Sequence, residues 1–368
     1  MDTLDLTIHD LSRGGAGVGK DSNGRIVFVP YTAPGDLVRV EILSTKKNYA
    51  QAKLLEVLKP SSERIQPKCP VFTQCGGCDW QHLPYELQWS TKVKGALQAL
   101  KRSGLDITKM EGLIPLEEFQ AANPWNYRNR IQLRGEGDKV GFYKRGSKDT
   151  LVAFDRCEIT RNEINDALPE IRKEGAQLGT PYKVEIDVTP QGKVRTAWNA
   201  KHAALGFRQI NDEQNEVLKK WVISHLKKDR VLLDLYGGNG NFSLGLVSQM
   251  KHIHCVDVGA HTSKPQPGIE FHKSGVAKWL QTYRSQQQAS AILDPPREGL
   301  GDDFTSIEAA LSKNGVDEIL LIGCDEDAWA KDCIRLHNQG WKLVKLAFFD
   351  LFPQTKHVES VAKWTRNR

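Results

Sequence analysis

The stretch that most constrains this 368-residue chain is Arg230-Val-Leu-Leu-Asp-Leu235, an apolar run of strand length that leads straight into the glycine turn Tyr236-Gly-Gly-Asn-Gly-Asn241. A helix is expected over 212–227 before it, a second helix after the turn, and a second strand over 253–257. Strands that alternate with helices pair in parallel, so the pattern implies an α/β chain with a doubly wound sheet. Ligands of such sheets bind beyond the carboxyl ends of the strands.

Glycines 237, 238 and 240 let the backbone approach a nucleotide-like ligand, and Asp257, about 20 residues on, can accept both ribose hydroxyls. The spacing is not G-x-G-x-x-G, and Asp-Leu-Tyr-Gly-Gly-Asn-Gly suits S-adenosylmethionine better than a dinucleotide. A purely structural turn is the competing reading. Asp294, in Ile292-Leu-Asp-Pro-Pro-Arg-Glu-Gly299, is expected at the carboxyl end of a further strand, facing the same cleft.

The rest of the chain is organised differently. Short β-rich runs at 4–8, 25–29, 37–42 and 50–57, separated by glycine-rich turns such as 13–19, read as a small barrel of OB type over 1–59. Residues 60–200 form a mixed segment, with a helix over 85–103 and strands near 129–134, 140–143 and 184–188. The doubly wound unit occupies 201–368. Charged residues at 26% and hydrophobic ones at 39% fit an ordinary folded chain. No apolar run reaches the roughly 20 residues a bilayer requires, and the N-terminus lacks a signal-peptide core, so a cytoplasmic protein without a membrane partner is expected.

Seven cysteines, three of them within ten residues, point to metal or catalysis before disulfides. Cys69, Cys75 and Cys78, with Cys157 far downstream, can surround either an iron–sulfur cubane or a tetrahedral zinc, because both take four sulfur ligands. Spacing does not choose between them. Ordinary buried thiols are the alternative.

Cys324 ends the apolar run Ile319-Leu-Leu-Ile-Gly323. Alone it would pass for a small core residue, but Glu359 is expected on the same sheet edge. Such a pair serves a specific reaction. C5 of uracil is too weak a nucleophile to attack a sulfonium methyl until a thiolate has added at C6. A base must afterwards remove the C5 proton.

Net charge is +6, from 51 Lys and Arg against 45 Asp and Glu, which permits RNA without demanding it. The charge concentrates locally, because 125–148 carries Arg128, Arg130, Arg134, Lys139, Lys144, Arg145 and Lys148 among Trp125, Tyr127, Phe142 and Tyr143. Cations that neutralise phosphates beside aromatics that stack on bases suit single-stranded RNA. A solvated basic face over core aromatics is the plainer alternative.

Taken together, these blocks resemble the RNA (uracil-5-)-methyltransferases, above all the bacterial 23S rRNA enzymes with an N-terminal TRAM domain and a [4Fe-4S] cluster. The likeness runs nearly end to end: Gly14-Gly-Ala-Gly-Val-Gly19, Cys75-Gly-Gly-Cys78-Asp-Trp-Gln-His82, Tyr127-Arg-Asn-Arg130, Phe207-Arg-Gln-Ile-Asn211, 234–242, Asp294-Pro-Pro-Arg297, Cys324, and Phe352-Pro-Gln-Thr-Lys-His-Val-Glu359. It implies a Rossmann-like methyltransferase domain at 201–368, a TRAM barrel, and a central α+β iron-sulfur domain. It implies Cys69, Cys75, Cys78 and Cys157 as cluster ligands, with the cluster structural. S-adenosylmethionine contacts would come from Gln209, Tyr236, Asn241, Asp257 and Asp294, with Cys324 as nucleophile and Glu359 as base. RNA contacts would come from Arg128, Arg130, Arg134, Lys144, Arg145 and Phe207, the partner being 23S rRNA and the enzyme a monomer.

Three departures qualify the likeness. The family's Ser-Cys-Asn-Pro-x-Thr-x-Ala-Arg-Asp is here Gly323-Cys-Asp-Glu-Asp-Ala-Trp-Ala-Lys-Asp332, and acidic Asp325 and Glu326 are expected to oppose thiolate formation. The stretch 258–271 is short and holds Pro265 and Pro267, which truncates the usual helix. Gly237 replaces a common cysteine. The first two keep open a catalytically impaired, cluster-bearing RNA-binding relative, and the metal keeps open a zinc-stabilised methyltransferase.

Overall fold

The computed structural model describes residues 3–110, 112, 114–179, 181–200, 204–206, 208–259, 267–285 and 287–366. Strands β1 (Thr3–Leu11), β2 (Gly17–Lys20), β3 (Ile26–Val29), β4 (Leu37–Thr45) and β5 (Tyr49–Lys59) close into a barrel in the order β1-β2-β3-β5-β4. Alternate residues fill its interior, among them Leu6, Ile8, Val27, Val29, Val38 and Val40, as strand period two requires. Part of the glycine-rich stretch 13–19 is not a turn but strand β2. A Cβ at Gly17 would lie 2.0 Å from Thr32 Oγ1, and one at Gly19 2.4 Å from Leu6 Cδ1, so these glycines mark close approach inside the barrel.

The middle of the chain runs α1 (Tyr85–Ser103), β6 (Leu116–Phe119), β7 (Arg130–Glu136), β8 (Lys139–Tyr143), β9 (Leu151–Ala153), α2 (Asn162–Gln177), β10 (Tyr182–Val188) and β11 (Val194–Trp198). An antiparallel sheet in the order β11-β10-β7-β8-β9 buries Ile131, Leu133, Val184 and Ile186 against Ile164, Leu168 and Ile171 of α2.

The remainder comprises α3 (Asp212–His225), β12 (Val231–Leu235), β13 (His252–Asp257), β14 (Ile269–Lys273), α4 (Val276–Thr282), β15 (Ala289–Leu293), α5 (Phe304–Lys313), β16 (Val316–Gly323), α6 (Glu326–Asn338), β17 (Lys342–Phe349) and β18 (Glu359–Thr365). The sheet order is β14-β13-β12-β15-β16-β18-β17-β6. Strands β14 to β16 in that order are parallel, and β18 runs antiparallel to β16 and β17. Both faces are covered, as parallel strands require. Leu233, Leu293 and Leu321 join one core with α5 and α6 residues, while Leu232, Ile292 and Leu320 join the other with Leu218 and Trp221 of α3.

Two elements from 60–200 are built into this C-terminal body. Strand β6 pairs in parallel with β17, and α1 contributes Trp89, Val93 and Leu100 to the core that holds Trp329 and Leu336 of α6. At its centre Lys92 is fully buried and paired with Asp350 at 2.6 Å, and it also donates to the Phe352 carbonyl at 3.0 Å. Tyr85 Oη donates to the second Asp350 oxygen at 2.9 Å, so this buried ion pair is well satisfied.

The helix expected after the glycine turn is not there. Two single 3₁₀ turns, Ser243–Gly245 and Val247–Gln249, stand in its place. Ser243 spends its hydroxyl on Asp234 and Gly245 interrupts the run, so the costly helical nucleus has nothing to propagate into. Among the described residues no helix is long and apolar enough to cross a membrane.

Candidate active site

Strand β16 delivers Cys324 one residue beyond its carboxyl end. Gly323 is registered against Ser360 of the antiparallel β18, which sets Cys324 beside Glu359, the first residue of β18. Asp294-Pro-Pro-Arg297 follows β15, the neighbour of β16 on its other side, and its Pro295, Pro296 and Arg297 line the small cleft around Cys324 together with Trp329 and Asp332. The site is electrostatically loaded. Burial first, then Glu359, pushes the Cys324 thiol up to about 12, while Arg297 opposes the shift. Burial, with Asp294 adding repulsion, pushes buried Glu359 well above the usual carboxylate range. Asp294 is raised to about 7 by burial and by Asp234 and Asp257.

The glycine turn lies on the same edge. Asp257 closes β13 and accepts from the Gly238 amide at 3.2 Å and the Gly259 amide at 2.6 Å. Tyr236 takes a positive φ of 64° as the chain leaves β12, and its ring packs on the core beneath. Asp234, which the sequence reading did not single out, is fully buried, raised to about 6 by burial, and its Oδ1 has no partner. An unsatisfied carboxylate oxygen at a strand end fits a cationic ligand group. Of the expected contacts, the Asn241 side chain and the Gln209 backbone carbonyl already have partners. Asn241 exchanges reciprocal amide bonds with Asn215 of α3 at 2.9 and 3.1 Å, and the Gln209 carbonyl accepts from Asn129 at 2.9 Å.

All seven cysteines are free thiols. Cys69, Cys78 and Cys157 share an apolar cluster with Phe72, Tyr127 and Ile159, and Cys75 feels the charges of Cys157 and Cys69. Among the described residues, no three cysteine sulfurs lie within 4.8 Å of one another. Gln81 organises the loop, accepting from the Cys69 amide at 3.0 Å and donating to Cys78 Sγ at 3.3 Å. The loop also leans on both neighbouring bodies. Trp80 Nε1 donates to the Gly15 carbonyl of the barrel at 3.0 Å. The Asp79 and Trp80 amides donate to the Gln354 carbonyl at 2.9 and 3.1 Å, and Tyr127 Oη donates to the Pro353 carbonyl at 3.0 Å. The segment that ends in Glu359 is therefore fastened to the cysteine loop.

Residues 2–55 match the TRAM domain family, and 278–366, which hold Asp294, Cys324 and Glu359, match the tRNA (uracil-5-)-methyltransferase family. The chain carries a TRAM domain and a tRNA (uracil-5-)-methyltransferase family domain. An uncharacterized RNA methyltransferase of Bdellovibrio bacteriovorus is 29% identical over 98% of this chain and 94% of its own length. The 23S rRNA (uracil(1939)-C(5))-methyltransferase RlmD of Chromohalobacter salexigens is 27% identical over 98% of this chain and 89% of its own. The fold is that of the Pyrococcus abyssi tRNA (uracil-54, C5)-methyltransferase solved with S-adenosyl-L-homocysteine, with a TM-score of 0.72 and 20% identity over 98% of this chain and all of that one.

Within this methyltransferase family the departures now have physical readings. Asp325 is the N-cap of α6, its carboxylate accepting the Ala328 amide at 3.1 Å. Glu326 faces Arg13 of the barrel at 3.8 Å. Among charges, Glu359 raises the Cys324 thiol most, Arg297 lowers it next and Asp294 raises it further; neither Asp325 nor Glu326 is among these leading influences. A Cβ at Gly237 would sit 2.7 Å from Cys255 Sγ and 2.8 Å from Asp234 Cγ, so the sulfur of Cys255 fills the space a side chain at 237 would need. Of 258–271, residues 260–266 fall outside the described residues.

The basic residues expected to touch RNA divide into two groups. Arg130 is committed to Asp187 at 3.2 Å and Glu185 at 3.5 Å. Arg145 clamps the cysteine loop through the Cys78 carbonyl and Asp79, both at 2.9 Å, and Arg128 bonds the Arg130 carbonyl at 2.9 Å. Arg134 and Lys144 are not tied down in this way, and Arg134 lines a surface groove with Tyr143, Lys148 and Lys183. Phe207 lies outside the described residues.

Proposed function

We propose that this methyltransferase makes 5-methyluridine in RNA from S-adenosylmethionine, with 23S rRNA as its substrate. The observation that carries the reading is the abutment of Cys324 and Glu359 at the ends of two paired strands, beside Asp294. When bound, S-adenosylmethionine supplies the methyl group on a sulfonium whose positive charge complements the carboxyls of Asp234, Asp257 and Asp294. In the protein's own part of the reaction, the Cys324 thiol gives up its proton to solvent as the uracil docks, the thiolate sulfur forms a bond to C6, and the C5–C6 π electrons become the nucleophile at C5. Once C5 is methylated, Glu359 accepts the C5 proton, the C–H electrons re-form the double bond, and the C6–S bond breaks to free Cys324. A uridine inside a folded RNA would have to be flipped out to reach this recessed edge, at a cost of a few kcal/mol.

The same proposal assigns Cys69, Cys75, Cys78 and Cys157 to a [4Fe-4S] cluster. Four thiolates suit an iron–sulfur cubane as well as a tetrahedral zinc, and it is the likeness to the cluster-bearing bacterial 23S rRNA enzymes that favours iron. The 23S assignment is supported by the Chromohalobacter relative's name. Mapping 5-methyluridine across ribosomal RNA from a strain lacking the protein tests it. Loss of the modification at a 23S uridine is expected, and an unchanged map would favour an RNA-binding relative without catalysis.

A further inference from the structure

Away from the catalytic edge, strands β13 and β14 present His252, His254, Glu270 and His272 on one face. His254 is registered directly against Glu270, and Val256 against His272, so all four side chains project from the same side of the outermost strand pair. Glu270 Oε2 lies 3.6 Å from His252 Nε2, 3.3 Å from His254 Nδ1 and 3.5 Å from His272 Nε2. His254 Nδ1 and His272 Nε2 are 3.0 Å apart. A tetrahedral zinc bound at about 2.0–2.1 Å by nitrogen and oxygen sets its ligand atoms about 3.3 Å from one another. The observed spacings bracket that value.

We propose that His252, His254 and Glu270, with His272 beside them, bind a divalent transition metal of the zinc class, which clips edge strand β14 to β13. Imidazole nitrogen with one carboxylate oxygen is a donor set that suits zinc, nickel or copper over magnesium or calcium. The rings are held in place from behind. His272 and His254 pack on Trp279, with centroids 4.9 and 5.4 Å away, and His254 also meets Tyr283 at 5.1 Å. Glu270 and His252 stand open to solvent, which gives an ion a way in.

The site would have a mechanical use. Parallel neighbours β13 and β14 are separated in sequence by residues 258–268, and among the described residues no strand pairs with the outer side of β14. Parallel pairs normally rely on a longer crossover, and a metal bridging the two strands would hold the edge instead.

The test is zinc uptake by the untagged full chain, equilibrated with Zn²⁺ alone at low micromolar concentration, with metal content and melting temperature as readouts. Wild type is expected to take up one equivalent more than the His254→Ala, His272→Ala double variant, and zinc should raise the Tm of wild type only. Glu270→Gln, at an open position, should weaken that uptake at least about tenfold. Equal uptake by wild type and the double variant would overturn the proposal. Should the double variant not fold, undiminished zinc affinity in Glu270→Gln overturns it as well.

Discussion

Each residue of the proposed catalytic pair sits where its neighbours disfavour its charged form. Burial raises the Glu359 and Asp294 carboxyls, and burial with Glu359 raises the Cys324 thiol. Removing the base should therefore stall the reaction after the thiol has added. Glu359→Gln is expected to lower turnover by about 10²–10⁴-fold and to accumulate an RNA–protein adduct that survives denaturing electrophoresis. A fast enzyme with no adduct would remove Glu359 from the mechanism. The raised carboxyls also bear on stability. Asp234 and Asp294 titrate at about 6 and about 7, against 3.8 for an ordinary aspartate. A raised folded-state value means that their contribution is fully present below pH 3.8 and is lost as pH rises through 6 to 7. Asp294→Asn should raise the Tm of cofactor-free protein at pH above about 7, lose that advantage by about pH 4, and weaken S-adenosylmethionine binding. A variant less stable than wild type at the higher pH contradicts this reading.

Among the elements, those with a strong local pattern were legible. Helix α1 has the bounds expected from its spacing, and β12, β13 and β16 lie within a few residues of the apolar runs that announce them. What stayed hidden depends on contacts distant in sequence. Strand β2 reads as a turn because Gly17 and Gly19 look flexible until Thr32 and Leu6 are seen against them. Strand β6, Leu-Glu-Glu-Phe, has no strand-like alternation of its own and is fixed by pairing to β17. The ties of Arg130 and Arg145 are likewise invisible locally, so the basic segment looked more open than it is. In the site, Cys324 and Glu359 could be found from their chemistry, whereas Asp234 and Gln354 are recognised only by what surrounds them. At the start of α6 the acidic residue that looked obstructive is a cap. Asp325→Ala should cost about 1 kcal/mol, seen as a lower Tm, while Asp325→Asn keeps the cap and the stability. Equal losses in both would show that the cap bond contributes nothing.

Across the whole molecule the cysteine loop is the junction. It touches the barrel through Trp80 and Gly15, and it fastens the Pro353–Gln354 turn ahead of Glu359. Loss of one of the proposed cluster ligands should accordingly be felt at the distant edge that holds Cys324 and Glu359. Cys78→Ser is expected to lose bound iron and to slow methyl transfer although Cys324 is untouched, and a variant that loses iron yet keeps the full rate would limit the loop to stability. The central claim is that Cys324 attacks uracil so that C5 can be methylated. Transfer of labelled methyl from S-adenosylmethionine to unmodified 23S rRNA by wild type and Cys324→Ala tests it most directly. Label is expected as 5-methyluridine with wild type and not with Cys324→Ala, and 5-methyluridine formed by the alanine variant would remove Cys324 from the reaction.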